Sequence, residues 1–167
     1  DPNRAIELEC NQNPKSDAFP SSSGSPSLWY KFWVPSRGKI GATFTHRYAE
    51  NSYKFAYLTF YNSNMDPITK SYTSLNSTMS KEIPSVGVDG GAYYYLKIQK
   101  WDANDLNFTI KINYTKDSYC ETELNDTRDT ADYISSGYTY NGRDNTDGDV
   151  DYYRITAPSD GYFSFSF

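Results

Sequence analysis

The chain has 167 residues and a formal net charge of −5 at pH 7. Its Lys and Arg residues are scattered, which argues against a nucleic-acid binder, because neutralising phosphates requires clustered basic side chains. No apolar run approaches the roughly 18 residues that a membrane-spanning helix needs. Aromatic residues make up 17% of the sequence. That share is too high for a disordered chain and favours β-strands, since Tyr, Phe and Thr fit a pleated sheet.

Short segments of alternating apolar and polar residues follow one another along the chain. Residues 11–27 are rich in Ser, Pro and Gly and predict a loop. Strands are predicted at 29–34, 39–45, 55–61, 80–83, 93–99 and 108–114, with the fourth ending at a turn around Pro84. The residues expected to face the core are Tyr30, Phe32, Val34, Ile40, Ala42, Phe44, Phe108, Ile110, Ile112 and Tyr114. No segment has helical periodicity, so the pattern predicts an all-β fold, an antiparallel and jelly-roll-like β-sandwich.

An internal repeat divides the chain into two parts. Residues 29–44 (WYKFWVPSRGKIGATF) correspond one by one to residues 152–167 (YYRITAPSDGYFSFSF). Upstream, the E-x-E-x-N pattern of residues 121–125 resembles Glu7, Glu9 and Asn11 within 7–11. We therefore predict a first β-sandwich unit at 1–116 and the N-terminal part of a second unit at 117–167.

The second part resembles a known family. The run from Glu121 to Ala131, followed by Gly137, Gly142, residues 149–155 (DVDYYRI) and Gly161, is similar to the bacterial pre-peptidase C-terminal domain. The resemblance implies a non-catalytic β-sandwich attached to secreted peptidases and surface proteins. It also implies a likeness to the collagen-binding domains of clostridial collagenases, which bind Ca²⁺ at this acidic motif.

Acidic and amide side chains alternate at two places in the second part. Glutamates and an asparagine at alternate positions of an extended segment project to one side, and aspartates alternate in the same way before the Tyr strand. From spacing alone, the explanation that these residues are loop formers is slightly favoured over a metal site. Together with the resemblance, they predict a Ca²⁺ site, because Ca²⁺ takes six to eight oxygen ligands and relieves the repulsion between carboxylates. The predicted ligands are Glu121, Glu123, Asn125, Asp126, Asp149 and Asp151, with Asp147 in the same loop.

The first part departs from this acidic pattern. Gln12 takes the place of Asp126, and Pro26 and Leu28 stand where Asp149 and Asp151 do. We therefore expect no metal site in the first unit.

The two cysteines, Cys10 and Cys120, lie at the two ends of the first unit. In an exported protein an even pair predicts a disulfide; the alternative is two free, buried thiols.

Several single residues have weaker functional interpretations. His46 is expected in a solvated loop. Trp29, Trp33 and Trp101, with Tyr93–Tyr95, would line a sugar- or peptide-binding face or simply pack against loops. Four N-x-Ser/Thr sequons offer glycosylation sites and are typical of an exported chain, at Asn76, Asn107, Asn113 and Asn125.

The sequence offers no nucleophile–base pair, so we do not expect an enzyme. It predicts a secreted or cell-surface Ca²⁺-binding repeat of a surface, adhesive or fibre-forming protein. The alternative is an appendage of a secreted peptidase that binds collagen-like or polysaccharide substrate. Residues 162–167 alternate with an apolar face, and we expect further chain, or strand addition from another copy, to cover it.

Overall fold

The computed structural model describes residues 1–19, 26–47, 55–74, 79–100, 105–143 and 149–166. A 3₁₀ turn at Pro2–Arg4 opens the chain. The strands are β1 (Ile6–Leu8), β2 (Lys15–Phe19), β3 (Ser27–Val34), β4 (Gly38–Arg47), β5 (Phe55–Tyr61), β6 (Pro67–Ser74), β7 (Met79–Val88), β8 (Ala92–Lys100), β9 (Leu106–Lys116), β10 (Asp132–Tyr133) and β11 (Tyr153–Arg154).

Two sheets pack face to face and confirm the predicted β-sandwich. One sheet has five strands in the order β1-β3-β8-β5-β6, and the other has four in the order β2-β9-β4-β7. Pairing within them is antiparallel except between β1 and β3, which run parallel. The described residues contain no α-helix, and none of them forms a helix long and apolar enough to cross a membrane.

The core follows the alternation read from the sequence. Tyr30, Phe32 and Val34 on β3 are fully buried, as are Ile40, Ala42 and Phe44 on β4 and the inward residues of β8 and β9. A strand sends alternate side chains to opposite faces, so one apolar set per strand is enough to fill the space between the sheets. Tyr114, the last predicted core residue, is only half-buried at the edge of this core.

Two predictions of local structure are wrong, and one strand was missed. Residues 11–27 contain a strand, β2, because Lys15–Phe19 pairs along β9 despite its polar composition. Strand β6 was not predicted at all. Pro84 lies inside β7 instead of at a turn.

Pro84 is tolerated in β7 because this strand forms the edge of its sheet and bulges there. Two residues, Pro84 and Ser85, stand between the partners of Ile40 and Ala42 on β4, where β4 itself has only one.

His46 also differs from its prediction. It lies on β4, is 1% exposed and packs against Phe44, with ring centroids 5.7 Å apart. The inward alternation of β4 continues one step further than expected and places the imidazole in the core.

Beyond β9 the described residues form a smaller body with one short parallel pair, β10 and β11. Residues 161–166 do not form a strand, and Phe163 and Phe165 are exposed, because no neighbouring strand lies beside them among the described residues. Phe167 lies outside the described residues. The boundary between 116 and 117 stays a prediction, although all strands of the two main sheets precede it.

Strand pairing corrects one part of the internal repeat. Tyr30 on β3 pairs with Ile6, whereas its counterpart Tyr153 on β11 pairs with Asp132. The structural counterpart of Ile6 is therefore Asp132, and residues 7–11 are not the counterpart of 121–125. The inference that the first unit keeps the Glu/Asn part of the motif at Glu7, Glu9 and Asn11 therefore does not stand, whereas Pro26 and Leu28 still offer no ligand oxygen.

Candidate metal centre

The segment from Glu121 to Asn125 is extended and held by backbone hydrogen bonds to two later parts of the chain. The Glu121 amide donates to the Asn141 carbonyl at 3.0 Å, and the Tyr152 amide donates to the Asn125 carbonyl at 3.0 Å. These two bonds bring the stretch before β11, with Asp149 and Asp151, beside the glutamates.

Five carboxylates come together in this arrangement as two overlapping groups. Ligand oxygens of Glu121, Glu123 and Asp151 lie within 4.8 Å of one another, and so do those of Glu123, Asp126 and Asp149. Glu123 belongs to both groups, so they form one continuous acidic cluster. The structure thus places five of the six predicted ligands side by side, while Asp147 lies outside the described residues.

The sixth predicted ligand, Asn125, is the most unusual residue of the cluster. Its side chain is fully buried, and neither its Oδ1 nor its Nδ2 has a hydrogen-bond partner among the described residues. The same holds for Oε1 of Glu121, which is 4% exposed. Buried polar atoms in folded proteins nearly always have a partner, and a bound ion is one of the standard explanations for those without a protein partner.

The other oxygen of Glu121 is well satisfied. Its Oε2 accepts hydrogen bonds from the Arg143 amide at 3.0 Å and from the Tyr153 hydroxyl at 2.8 Å. Burial, followed by this hydrogen bond, raises the pKa of Tyr153, so the hydroxyl stays a donor. The Glu121 carboxylate is therefore fixed in orientation with Oε1 available.

Asp126 shows that the cluster is crowded with negative charge. Burial raises the pKa of its carboxyl, and the neighbouring carboxylates of Asp149 and Asp151 raise the pKa further. Carboxylates this close repel one another, and a bound cation would relieve that repulsion.

Residues that sequence reasoning missed surround the ligand segment. Asp132 accepts two hydrogen bonds from Thr122, from its amide at 2.6 Å and its hydroxyl at 2.7 Å, and pairs with Arg37 at 2.7 Å. Thr122 lies between the two glutamates in sequence, which was a usable signal.

The structure corrects the predicted disulfide, because both cysteines are free thiols. The Cys10 thiol donates to the Trp33 carbonyl at 3.5 Å, whereas the buried Cys120 thiol donates to the Asp117 carbonyl at 3.2 Å. Each sulfur is thus held by a different part of the molecule. Burial raises the pKa of Cys10 to about 11 and also raises the pKa of Cys120.

Most of the predicted surface aromatics lie on the outer face of the five-stranded sheet, but the prediction is wrong for Tyr94, which alternation along β8 places in the core at 5% exposure. Trp33 is 47% exposed and packs edge-on against Tyr93, with ring centroids 5.2 Å apart. Trp29 is half-buried beside Tyr61 at 5.1 Å. Trp101 lies outside the described residues.

The four sequons differ in exposure. Asn107 is exposed, and Asn113 is half-buried, with its amide donating to Thr43 at 2.9 Å. Asn125 is fully buried, so the folded chain does not present it for glycosylation, and Asn76 lies outside the described residues.

No model of a known protein family matches the chain, and no curated protein matches it. Among solved structures, the chain is similar to the pre-peptidase C-terminal domain of a collagenase from Bacillus anthracis. The two share 15% sequence identity over 66% of this chain and 95% of that chain, with a TM-score of 0.49. An arabinose-bound MgGH51 α-L-arabinofuranosidase is similar at 12% identity over 58% of this chain and 19% of that chain, with a TM-score of 0.39. Likenesses this distant say nothing about function; the collagenase domain is of the same kind as the family that residues 121–161 resemble.

Proposed function

We propose that this chain is a non-catalytic, extracellular Ca²⁺-binding β-sandwich repeat of a surface, adhesive or fibre-forming protein. One Ca²⁺ ion would be held by Glu121, Glu123, Asn125, Asp126, Asp149 and Asp151. The proposal depends above all on the buried side chain of Asn125, which has no hydrogen-bond partner among the described residues and lies in the same segment as the carboxylates.

The donor set favours calcium over other metals. All six side chains offer hard oxygen atoms, and the described groups include no His or Cys. Oxygen-only sites suit Ca²⁺ or Mg²⁺, and soft or nitrogen-rich sites suit Zn²⁺ and Cu²⁺. Six side-chain ligands in an irregular loop arrangement fit the larger and more flexible coordination of Ca²⁺ better than the strict octahedron of Mg²⁺.

A bound cation would have a structural role here. It would neutralise the repulsion between the clustered carboxylates and would join residues 121–126 to residues 149–151. Because the unfolded chain has no assembled site, the binding free energy would add to the stability of this part of the molecule.

Calorimetric titration with CaCl₂ tests the proposal. The intact chain should bind one Ca²⁺, and Asp149→Ala should abolish or strongly weaken that binding. Asp160→Ala is the matched control, since Asp160 is an exposed aspartate of the same segment outside the cluster, and it should bind as the parent does. Absence of Ca²⁺ binding to the intact chain at millimolar concentration would refute the proposal.

A second candidate function, a substrate-binding appendage of a secreted peptidase, is favoured by the outer face of the five-stranded sheet. There Lys31 lies 5.3 Å from the ring centre of Tyr93, and Lys97 lies 5.7 Å from that of Trp29. Exposed aromatic rings beside cations are typical of binding faces. Binding of the chain to collagen-like peptides or polysaccharides, lost in Trp33→Ala, would support this role; equal binding by the variant would exclude this face.

A further inference from the structure

The segment that carries Glu121 and Glu123 packs against the first sandwich, and Arg37 makes the central contact. Arg37 lies in the turn between β3 and β4. Its Nε donates to the Cys120 carbonyl at 3.0 Å, and its Nη2 pairs with Asp132 at 2.7 Å. One guanidinium of the first unit therefore contacts both Cys120, which precedes Glu121 in the chain, and Asp132, which is hydrogen-bonded to Thr122.

Asp132 connects Arg37 to the ligand segment. The carboxylate is 7% exposed, and both of its oxygens accept hydrogen bonds from Thr122, which is 5% exposed. Thr122 lies between Glu121 and Glu123, so any shift of Asp132 changes the backbone from which both glutamates project. Buried, charge-assisted hydrogen bonds of this kind are among the stronger ones in proteins.

Strand β7 of the first sandwich makes the second contact. The Gly87 carbonyl accepts a hydrogen bond from the Glu123 amide at 3.1 Å. The backbone of Glu121 passes so close to Gly87 that a Cβ there would overlap the Glu121 carbonyl oxygen. Further along, the Arg143 guanidinium donates to the Ser85 carbonyl at 3.0 Å.

We infer that the first sandwich is part of the metal site, with Arg37 as a positioning residue that acts through Asp132 and Thr122. This inference rests on the proposed Ca²⁺ binding. Residues behind the ligands of a metal site orient them, and their loss weakens metal affinity by about 10- to 100-fold. Since linkage is reciprocal, Ca²⁺ in turn tightens the packing of residues 120–123 against the first sandwich.

This coupling between Arg37 and the metal site predicts a specific pattern of Ca²⁺ affinities in the full chain. Arg37→Ala should weaken Ca²⁺ binding by about 10- to 100-fold. Arg37→Lys keeps the charge but cannot make the hydrogen bond to Cys120 and the ion pair with Asp132 from one planar group, so it should recover only part of that loss. Lys31→Ala is the matched control, because it also removes the cation of an ion pair, the one with Glu7 at 3.2 Å. Lys31 lies on the outer face of the five-stranded sheet, so this variant should bind Ca²⁺ with the affinity of the parent.

Hydrogen exchange supplies a readout that a purely structural role of Arg37 would not move. The Glu123 amide donates across the contact to Gly87, so Ca²⁺ should slow its exchange in the parent chain. In Arg37→Ala, Ca²⁺ should slow the exchange of this amide by a smaller factor than in the parent, while amides in the centre of β9 stay unchanged. A purely structural contact would speed exchange equally with and without Ca²⁺ and leave that factor as in the parent.

The outcomes distinguish Ca²⁺ binding itself from the contribution of Arg37 to it. If the parent chain binds no Ca²⁺, the proposed function fails, and the coupling fails with it. If the parent binds Ca²⁺ and Arg37→Ala binds it equally well, the coupling alone is overturned. Should Arg37→Ala not fold, Thr122→Val decides instead, because it removes only the hydroxyl bond to Asp132: weaker Ca²⁺ binding supports the coupling, and parental affinity overturns it.

Discussion

Replacing Gly87 by alanine tests how closely the acidic segment packs on β7. The added Cβ would overlap the Glu121 carbonyl oxygen and lie 2.8 Å from the carbonyl carbon. Both are backbone atoms, so no side-chain rotation relieves the clash. The segment must move away, and the hydrogen bond from the Glu123 amide to the Gly87 carbonyl is lost with it.

The expected destabilisation follows from these two effects. Overpacking a tight site costs about 1–3 kcal/mol, and the lost backbone hydrogen bond adds about 1 kcal/mol. Together they should lower the melting temperature, measured by scanning calorimetry in EDTA, by roughly 5–15 °C for a chain of this size. Gly161→Ala is the control, because a Cβ at Gly161 meets no atom within 4 Å. If Gly87→Ala melts at the temperature of this control, the packing of the segment on β7 is not as described.

Three further measurements address other parts of the structure. Cys10 and Cys120 should both react with iodoacetamide in unreduced protein that is unfolded in urea. In the folded chain at pH 8 the reaction should be slow, because the raised pKa values of the two thiols leave little thiolate. An unreactive, oxidised pair would contradict the structure. Phe44→Ala removes a fully buried ring and should lower the free energy of unfolding by about 3–5 kcal/mol in urea titrations, whereas a loss below about 1 kcal/mol would place the ring outside the core. In a glycosylating host, mass spectrometry should find glycan on exposed Asn107 and none on buried Asn125, and a modified Asn125 in folded protein would refute its burial.

Local patterns were sufficient to predict the central strands. Residues 55–61 form a strand with the predicted bounds, and β3 and β4 bury the residues that the alternation indicated. These strands have one strongly apolar face, so the period of two identifies them without reference to their partners. Lys15–Phe19 has one large apolar residue, Phe19, and becomes a strand only because β9 offers it a partner.

The acidic cluster was predictable because its members alternate within two short segments. Among the surrounding residues only Thr122 had a local signal, because Arg37 and Asp132 depend on contacts between distant parts of the chain. Nothing local to Arg37 indicates a carboxylate partner at position 132. The same limitation explains the wrong disulfide, since two cysteines in an exported chain do not reveal whether their sulfurs meet.

The internal repeat shows how a short local match can mislead. Glu7, Glu9 and Asn11 copy the spacing of the acidic motif, yet β1 occupies the place of β10 relative to the Tyr strand. That match involves three side chains only and no backbone pairing. Strand register involves many backbone bonds and is therefore the better guide to equivalence.

The packing of the acidic segment on β7 also bears on self-association. An exposed sheet edge invites strands from other molecules, because its backbone groups lack partners. On β7, Pro84 has no amide proton, the strand bulges beside it, and the carbonyls of Ser85 and Gly87 accept hydrogen bonds from Arg143 and Glu123. This half of the edge is closed to an incoming strand, so copies of the chain linked in tandem or crowded at a surface would not join their four-stranded sheets through it.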